Sequence, residues 1–240
     1  MFAKSKSNNP LSAIGYFFQG LKLLTRPELR PFLTYPVLIN LVLYGGAITI
    51  GYHYINQFMA HFIPDWLQWL NWILWPLIFI CFLIVVFFSF TVLANLIAAP
   101  FYGKLAAKTR ELLLARPQDT VAEPPLARIV AAEFRRAGYL SARALPLLVL
   151  FVVPGLNILA PFLWALFGAW AMALEFMAYP LENEGVLFSE QRQLAKDMRL
   201  GTLSFGGIVM MGLTLPLLNL VVAPAAVIGA TLYVNDIKQE

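Results

Sequence analysis

The sequence predicts an all-α integral membrane protein. We expect two long transmembrane helices, two re-entrant helical hairpins that enter the bilayer and turn back, and an N-terminal amphipathic helix at the membrane interface. Composition, two long uncharged stretches and two proline-interrupted apolar stretches predict this fold. The chain is 60% hydrophobic and 12% charged, with a mean hydropathy of +0.72, whereas a soluble domain is roughly 45–50% apolar and about 25% charged. A water-soluble globular domain is therefore excluded.

The two uncharged stretches predict the long helices. Residues 32–64 and 66–103 contain no Asp, Glu, Lys or Arg. Each is longer than the roughly 20 residues that cross a ~30 Å hydrocarbon core. We therefore assign 32–114 to two long helices and expect the second, over 76–114, to project beyond the bilayer.

The N-terminal segment, residues 1–31, carries an apolar stripe. Leu11, Ile14, Phe18 and Leu21 recur at helical spacing, and polar residues fall on the other faces. This pattern is typical of a helix that lies in the interface plane with its apolar side in lipid. A disordered tail is the alternative.

The later apolar stretches, 144–174 and 200–235, differ from the first two because prolines and glycines interrupt them. The interruptions leave segments of roughly 8–18 residues, most of them below the length that spans a bilayer. Such broken helices are tolerated at membrane depth where protein buries them or where they line an aqueous cavity. We therefore predict that both stretches form re-entrant hairpins.

The two stretches also resemble each other. "PGLNILAPFLWALFGAW" begins at Pro154 and "PLLNLVVAPAAVIGAT" begins at Pro216, and both contain Pro-x-Leu-Asn, then Ala-Pro, then Gly-Ala. Paired interrupted segments indicate a transport site. Amides at the tips, Asn157 and Asn219, could donate hydrogen bonds to a passing anion, and Asn95 is a third conduit candidate. Chance similarity between Leu/Pro/Ala-rich segments is the alternative.

The placement of lysine and arginine predicts the orientation. Every hydrophilic segment carries them except the connection between the two long helices. The positive-inside rule places that connection in the periplasm and the remaining segments in the cytoplasm, including the basic segment 115–143. Six ordinary spans would satisfy the rule equally if the turns at Pro154 and Pro216 were exposed outside. The pI near 9.2 reflects these basic loops, and we expect no nucleic-acid partner.

The sequence shows no pattern of catalytic or metal-binding residues. It has one cysteine and two histidines, with no metal-ligand spacing, P-loop, dinucleotide fingerprint or hydrolase motif. We expect no metal, no cofactor and no enzymatic activity. Glu175, at the end of the first hairpin beside "YPLENEG", is interpreted as a surface residue and not as a proton relay.

Several segments identify a resemblance. "DWLQWLNWILWPL", "ANLIAAPFYG", "AYPLEN" and "PLLNLVVAPAAVIGAT" occur in order along almost the whole chain, which resembles the CysZ family of bacterial sulfate permeases. The resemblance implies sulfate uptake across the bacterial inner membrane by a multi-pass protein, for cysteine synthesis. It also implies two long membrane helices, hemi-penetrating hairpins and a homo-oligomer, with sulfite as a possible competing ligand.

The family has a sulfate-binding motif, Gly-Leu-Arg-Arg or a close variant, before the first long helix. The matching positions here are Glu28, Leu29, Arg30 and Pro31, so Leu29 and Arg30 are retained. Glu28 repels a dianion, and Pro31 removes a guanidinium and a backbone N–H. Arg26 is the candidate replacement for the missing charge. The alternative is that both arginines only contact lipid phosphates.

A sulfate dianion needs a polar conduit, because bare transfer into hydrocarbon is prohibitive. Its inward movement against an interior-negative potential costs about 4.6 kcal/mol per 100 mV. Without an ATP-binding motif or a carboxylate in the predicted spans, we expect a channel-like or weakly ion-coupled permease. A membrane scaffold or assembly factor without transport activity is the alternative function, and a lipid-directed membrane enzyme is a third class.

Overall fold

A computed structural model describes residues 6–62, 69–114, 126–215 and 218–239. These residues form eight α-helices and short 3-10 segments and contain no strand, so the all-α prediction is confirmed for them. The helices are Lys6–Asn8 (3-10), α1 Pro10–Leu23, α2 Pro31–Phe62, α3 Asn71–Leu114, α4 Leu126–Val152, α5 Ala160–Glu182, α6 Phe188–Asp197, α7 Arg199–Leu213 and α8 Asn219–Gln239.

The two long helices are present. Helix α2 has 32 residues and α3 has 44, which correspond to about 48 and 66 Å at ~1.5 Å per residue. Both exceed the thickness of a bilayer core. The central part of each belongs to a compact unit of its own, residues 34–101. Within that unit the rings of Tyr52 of α2 and Trp75 of α3 meet edge to face with their centroids 5.8 Å apart. The Trp75 ring also stacks on Phe79, with a centroid distance of 5.0 Å.

The second unit comprises residues 1–33 and 102–240, and α8 is its core helix. Ala225, Ala226, Val227, Ile228 and Tyr233 are all fully buried, and α8 packs against α1, α5 and α7. The apolar window of α8 is 72% buried inside the protein, whereas that of α5 is 33% buried. Helix α5 therefore retains an apolar face that is available to lipid.

Helix α1 confirms the helical part of the N-terminal prediction. The Asn9 side chain caps it by accepting a hydrogen bond from the Leu11 N–H at 2.9 Å, a favourable N-cap. Its buried residues pack toward α8, where a Cβ added at Gly229 would lie 2.7 Å from the Tyr16 carbonyl oxygen. The predicted stripe faces outward instead, since Leu11 and Phe18 are 79% and 52% exposed. Lipid contact along this stripe stays a prediction.

The hairpin stretches contribute two pairs of successive helices, α4–α5 and α7–α8. These helices have 27, 23, 15 and 21 residues, so α7 agrees with the predicted segments of 8–18 residues and the other three are longer. Pro161 stands in the first turn of α5, where a missing N–H costs little. Pro146 and Pro224 lie inside continuous helices, which packing of membrane helices permits.

This length matters for the topology. Among the described residues, Ala160–Glu182 and Val221–Gln239 are long and apolar enough to cross a membrane by length and composition. Six spans and two re-entrant hairpins therefore both remain compatible with the helices, and re-entrance stays a prediction. Helix α4 also runs without a break through residues 143 and 144, where the sequence changes from basic to apolar.

Gly206 lies where the backbones of α5 and α7 approach each other closely. A Cβ added at Gly206 would lie 2.8 Å from the Ala173 Cβ and would also collide with the Ala169 carbonyl oxygen. At the neighbouring Gly207 the nearest atom is the Ala169 Cβ at 3.9 Å. Gly206→Ala is therefore expected to destabilise the protein by roughly 1–3 kcal/mol through overpacking.

Gly207→Ala is the matched control for this prediction, because it makes the same change on the open side of α7. It should be neutral or slightly stabilising, since alanine is the better helix former by up to about 1 kcal/mol. Thermal unfolding of both variants in the same detergent measures the difference. Equal melting temperatures would contradict the close approach of α5 and α7.

Candidate functional site

Arg26 and Arg30 lie in a tight turn that joins α1 to α2. The backbone N–H groups of Leu29 and Arg30 both donate to the Arg26 carbonyl oxygen at 3.1 Å, and the Thr25 hydroxyl donates to the Lys22 carbonyl at 2.7 Å. These bonds satisfy the backbone locally. The turn therefore presents side chains on a fixed backbone.

Leu29 anchors this turn and does not face the solvent. Its side chain is 0% exposed and belongs to the main hydrophobic core, so this burial fixes the turn against the rest of the unit. Arg26, Glu28 and Arg30 are all exposed on the surface of the turn. The Arg30 Nε donates to the Thr25 carbonyl oxygen at 2.8 Å, which directs the guanidinium across the turn.

The start of α2 contributes less to anion binding than a typical helix N-terminus. The free N–H groups and positive dipole of a first turn ordinarily attract anions. Here Pro31, the first residue of α2, has no N–H, and the Phe32 N–H donates to the Leu29 carbonyl at 3.2 Å. An anion at this turn would therefore depend mainly on the arginine side chains, whose planar guanidinium matches two oxygens at once.

The three asparagine candidates lie on other elements. Asn157 is exposed in the turn at residues 153–159, where its N–H donates to the Val153 carbonyl at 3.1 Å and Gly155 adopts a positive φ of 84°. Asn219 is the first residue of α8, and Asn95 lies in α3 within the other unit. The side chains of Asn95 and Asn219 are outside the described part. No described hydrogen bond joins Asn157 to the arginine turn.

An ion-pair network that the sequence did not predict lies between α4 and α5. Arg136 is 12% exposed and contacts Glu175 at 2.8 Å, Glu182 at 3.6 Å and Glu133 at 4.0 Å. It also donates to the Leu174 carbonyl oxygen at 3.3 Å. One guanidinium thus binds three carboxylates, which joins the basic helix to the end of the first hairpin.

A second network joins three elements at the end of α5. Arg110 of α3 pairs with Glu184 at 2.8 Å, and these side chains are 18% and 19% exposed. Lys238, near the end of α8, contacts the same carboxylate. The Asn183 amide donates to the Gly103 carbonyl oxygen at 2.8 Å. The turn after α5 therefore holds the ends of α3 and α8 together.

The acidic residues of "YPLENEG", directly after an apolar stretch, are a sequence signal for these two networks. Glu182 and Glu184 flank Asn183, and each is bound to a cation on another helix. Glu175 is 45% exposed but is paired with Arg136, and it lies inside α5, a candidate span. The absence of carboxylates noted for the predicted spans therefore does not apply to α5. No described group of His, Cys, Asp and Glu residues has the arrangement of a metal site.

Comparison with known proteins identifies the family. The "Sulfate transporter CysZ" of Pseudomonas aeruginosa strain LESB58 is 40% identical over 234 residues, 93% of this chain and 94% of that protein. The protein of the same name from Salmonella paratyphi A is 40% identical over 238 residues, 95% of this chain and 93% of that protein. The family model described as "Sulfate transporter CysZ/Etoposide-induced protein 2.4" matches residues 16–224. With both lines of similarity covering most of its length, the chain belongs to this sulfate transporter CysZ family.

Proposed function

We propose that this protein is a sulfate permease of the bacterial inner membrane that supplies sulfate for cysteine synthesis. The observation that carries the proposal is similarity to sulfate transporters along more than nine tenths of the chain. The arginine turn before α2 supports it, because guanidinium groups at a membrane interface suit an oxyanion. The protein acts in this proposal as a multi-pass homo-oligomer in lipid and catalyses no chemical reaction.

The mechanism we propose begins at the arginine turn. Arg30 and Arg26 bind sulfate at the surface, and the paired turns at Asn157 and Asn219 form part of a polar route through the hairpins. The route is channel-like or weakly ion-coupled. A low cytoplasmic sulfate concentration, maintained by consumption, or a co-transported cation then drives uptake against the membrane potential.

Purified protein in liposomes tests this function directly. We expect uptake of labelled sulfate that stops when the protein is omitted, is inhibited by sulfite and is unaffected by equimolar chloride. Protein-containing liposomes that take up no more sulfate than empty liposomes would favour the scaffold function instead.

The driving force has a separate test in the same liposomes. An uncoupled route predicts that uptake responds to a clamped membrane potential and persists when the proton gradient is collapsed. Strict dependence on a proton gradient at a clamped potential would rule out the channel-like version. That outcome would change the proposed driving force and leave the proposed sulfate site unchanged.

The carboxylate of Glu28 gives a prediction of increased affinity. Because Glu28 is exposed beside the arginines, its charge repels sulfate, and Glu28→Gln removes this repulsion. We expect sulfate to bind roughly two- to fivefold more tightly, the range for exposed charge interactions of up to about 1 kcal/mol. Isothermal titration measures the change. Glu190→Gln, at an exposed position in the first turn of α6, is the control and should leave the dissociation constant unchanged.

A further inference from the structure

A groove on the second unit lies between α4, α5 and the α6–α7 corner, and nothing in the proposed transport route uses it. Its volume is about 430 Å³. It is lined by three cations and by apolar or aromatic side chains: Arg143, Lys196, Arg199, Tyr139, Trp170, Leu147, Leu163, Leu166, Phe167 and Leu203. One groove therefore combines positive charge with an extensive apolar wall.

The three cations have no carboxylate partner among the described residues. The Arg143 guanidinium lies 3.6 Å from the centroid of the Tyr139 ring, and its Nη1 donates to the Tyr139 carbonyl at 3.2 Å. Lys196 lies in the last turn of α6, and Arg199 is the first residue of α7. Arg110 and Arg136 of the same unit are, by contrast, neutralised by glutamates. The groove is therefore a local excess of positive charge that an anion would complement.

The charge and the apolar surface are separated along the groove. Tyr139, Arg143 and Leu147 follow one face of α4 at i, i+4 and i+8. Near the turn, the rings of Phe151 of α4 and Trp164 of α5 meet edge to face with their centroids 6.2 Å apart. Farther from the turn, the Trp170 indole N–H donates to the Tyr139 hydroxyl at 3.0 Å. The leucines thus continue from the cations toward the turn at residues 153–159.

Trp170 and Tyr139 lie beside the cations, at the end of the groove away from the turn. Their rings combine an apolar body with a polar group, which places them at the boundary of headgroups and hydrocarbon. Leu163 and Leu166 are 40% and 53% exposed, so the apolar part opens outward. An occupant needs an anionic head for the cations and a hydrocarbon tail for the leucines.

We propose that the groove binds an anionic glycerophospholipid, with its phosphate at Arg143, Lys196 and Arg199 and an acyl chain along Leu147, Leu163 and Leu166. A free inorganic oxyanion would leave the apolar wall without a ligand. A second copy that packed its own groove against this one about a two-fold axis would bring three more cations against these three, and like charges oppose such a contact. Charge complementarity and the apolar wall together favour lipid.

The test uses the purified full chain in a detergent. Dioleoyl phosphatidylglycerol and dioleoyl phosphatidylcholine, which share their acyl chains, are titrated separately, and bound lipid is counted by native mass spectrometry. We expect preferential binding of phosphatidylglycerol. Arg143→Gln/Lys196→Gln/Arg199→Gln should lower its affinity by roughly 100-fold, since each cation near an anionic lipid contributes about fivefold.

Two further variants are controls for a general loss of positive charge and for loss of folding. Lys104→Gln/Arg128→Gln/Arg135→Gln removes the same charge from exposed positions outside the groove and should retain binding. Leu203→Trp keeps all three cations and fills the groove, so it should reduce phosphatidylglycerol binding by itself. Equal losses in both triple variants, or equal binding of the two lipids by the native chain, would overturn the proposal. Displacement of the lipid by millimolar inorganic phosphate would also overturn it and indicate a site for a free oxyanion.

Discussion

Arg110→Glu is expected to destabilise the protein by roughly 2–4 kcal/mol, because it replaces a largely buried ion pair with two facing carboxylates. Arg110 and Glu184 are 18% and 19% exposed and lie 2.8 Å apart. Lys238 would still contact Glu184, and it would offset part of the repulsion. Thermal unfolding in detergent should show a melting temperature lower by about 5–15 °C.

Lys108→Glu is the matched control for Arg110→Glu. It reverses the same charge half a turn away on α3, where Lys108 pairs with Glu111 at 2.9 Å with exposed fractions of 36% and 56%. An exposed pair of this kind contributes about 0–1 kcal/mol, so the melting temperature should change little. The exchange Arg110→Glu/Glu184→Arg should restore part of the lost stability. Similar shifts for both single variants would show that the pair at Glu184 has no special stabilising role.

Arg30→Ala has the largest expected effect on function. If Arg30 makes a charge-assisted contact with sulfate, its loss should reduce the free energy of sulfate binding by roughly 1.5–3 kcal/mol. The dissociation constant would then be about 10- to 150-fold larger. The melting temperature should change far less, because Arg30 is exposed and Leu29 supplies the burial that anchors the turn. Isothermal titration with sulfate, sulfite, phosphate and chloride measures the affinity and its selectivity.

Arg26→Ala separates the two arginines. If Arg26 supplies the charge that Pro31 lacks, Arg26→Ala should weaken sulfate binding by a comparable factor, and the double variant should bind no measurable sulfate. Arg128→Ala, at an exposed position on α4, controls for the loss of one positive charge. An unchanged dissociation constant in Arg30→Ala would remove Arg30 from the anion site and leave lipid phosphate as its ligand.

The two networks explain how the second unit holds charged residues beside apolar helices. Arg136 and the turn after α5 pair almost every nearby carboxylate with a cation on another helix. A buried charge without a partner would be costly, whereas a paired one is tolerated. Arg143, Lys196 and Arg199 of the groove have no carboxylate partner among the described residues, which makes them candidates for an external anion.

Sequence determined the properties that depend on local composition. Hydropathy and the absence of charge identified a membrane protein and the two long helices, because a bilayer selects about 20 consecutive apolar residues wherever they occur. The segments from "DWLQWLNWILWPL" to "PLLNLVVAPAAVIGAT" identified the family. Side-chain spacing also predicted α1, although it did not show that Ala13, Tyr16 and Phe17 form its buried face.

Tertiary structure decided everything that depends on partners distant in sequence. Arg110 and Glu184 are 74 positions apart, and Arg136 and Glu175 are 39 apart, so no local pattern pairs them. Prolines predicted to end helices at Pro146 and Pro224 lie inside α4 and α8. The physical reason is that neighbouring helices supply packing and alternative backbone partners in a membrane, and these neighbours exist only once the chain has folded.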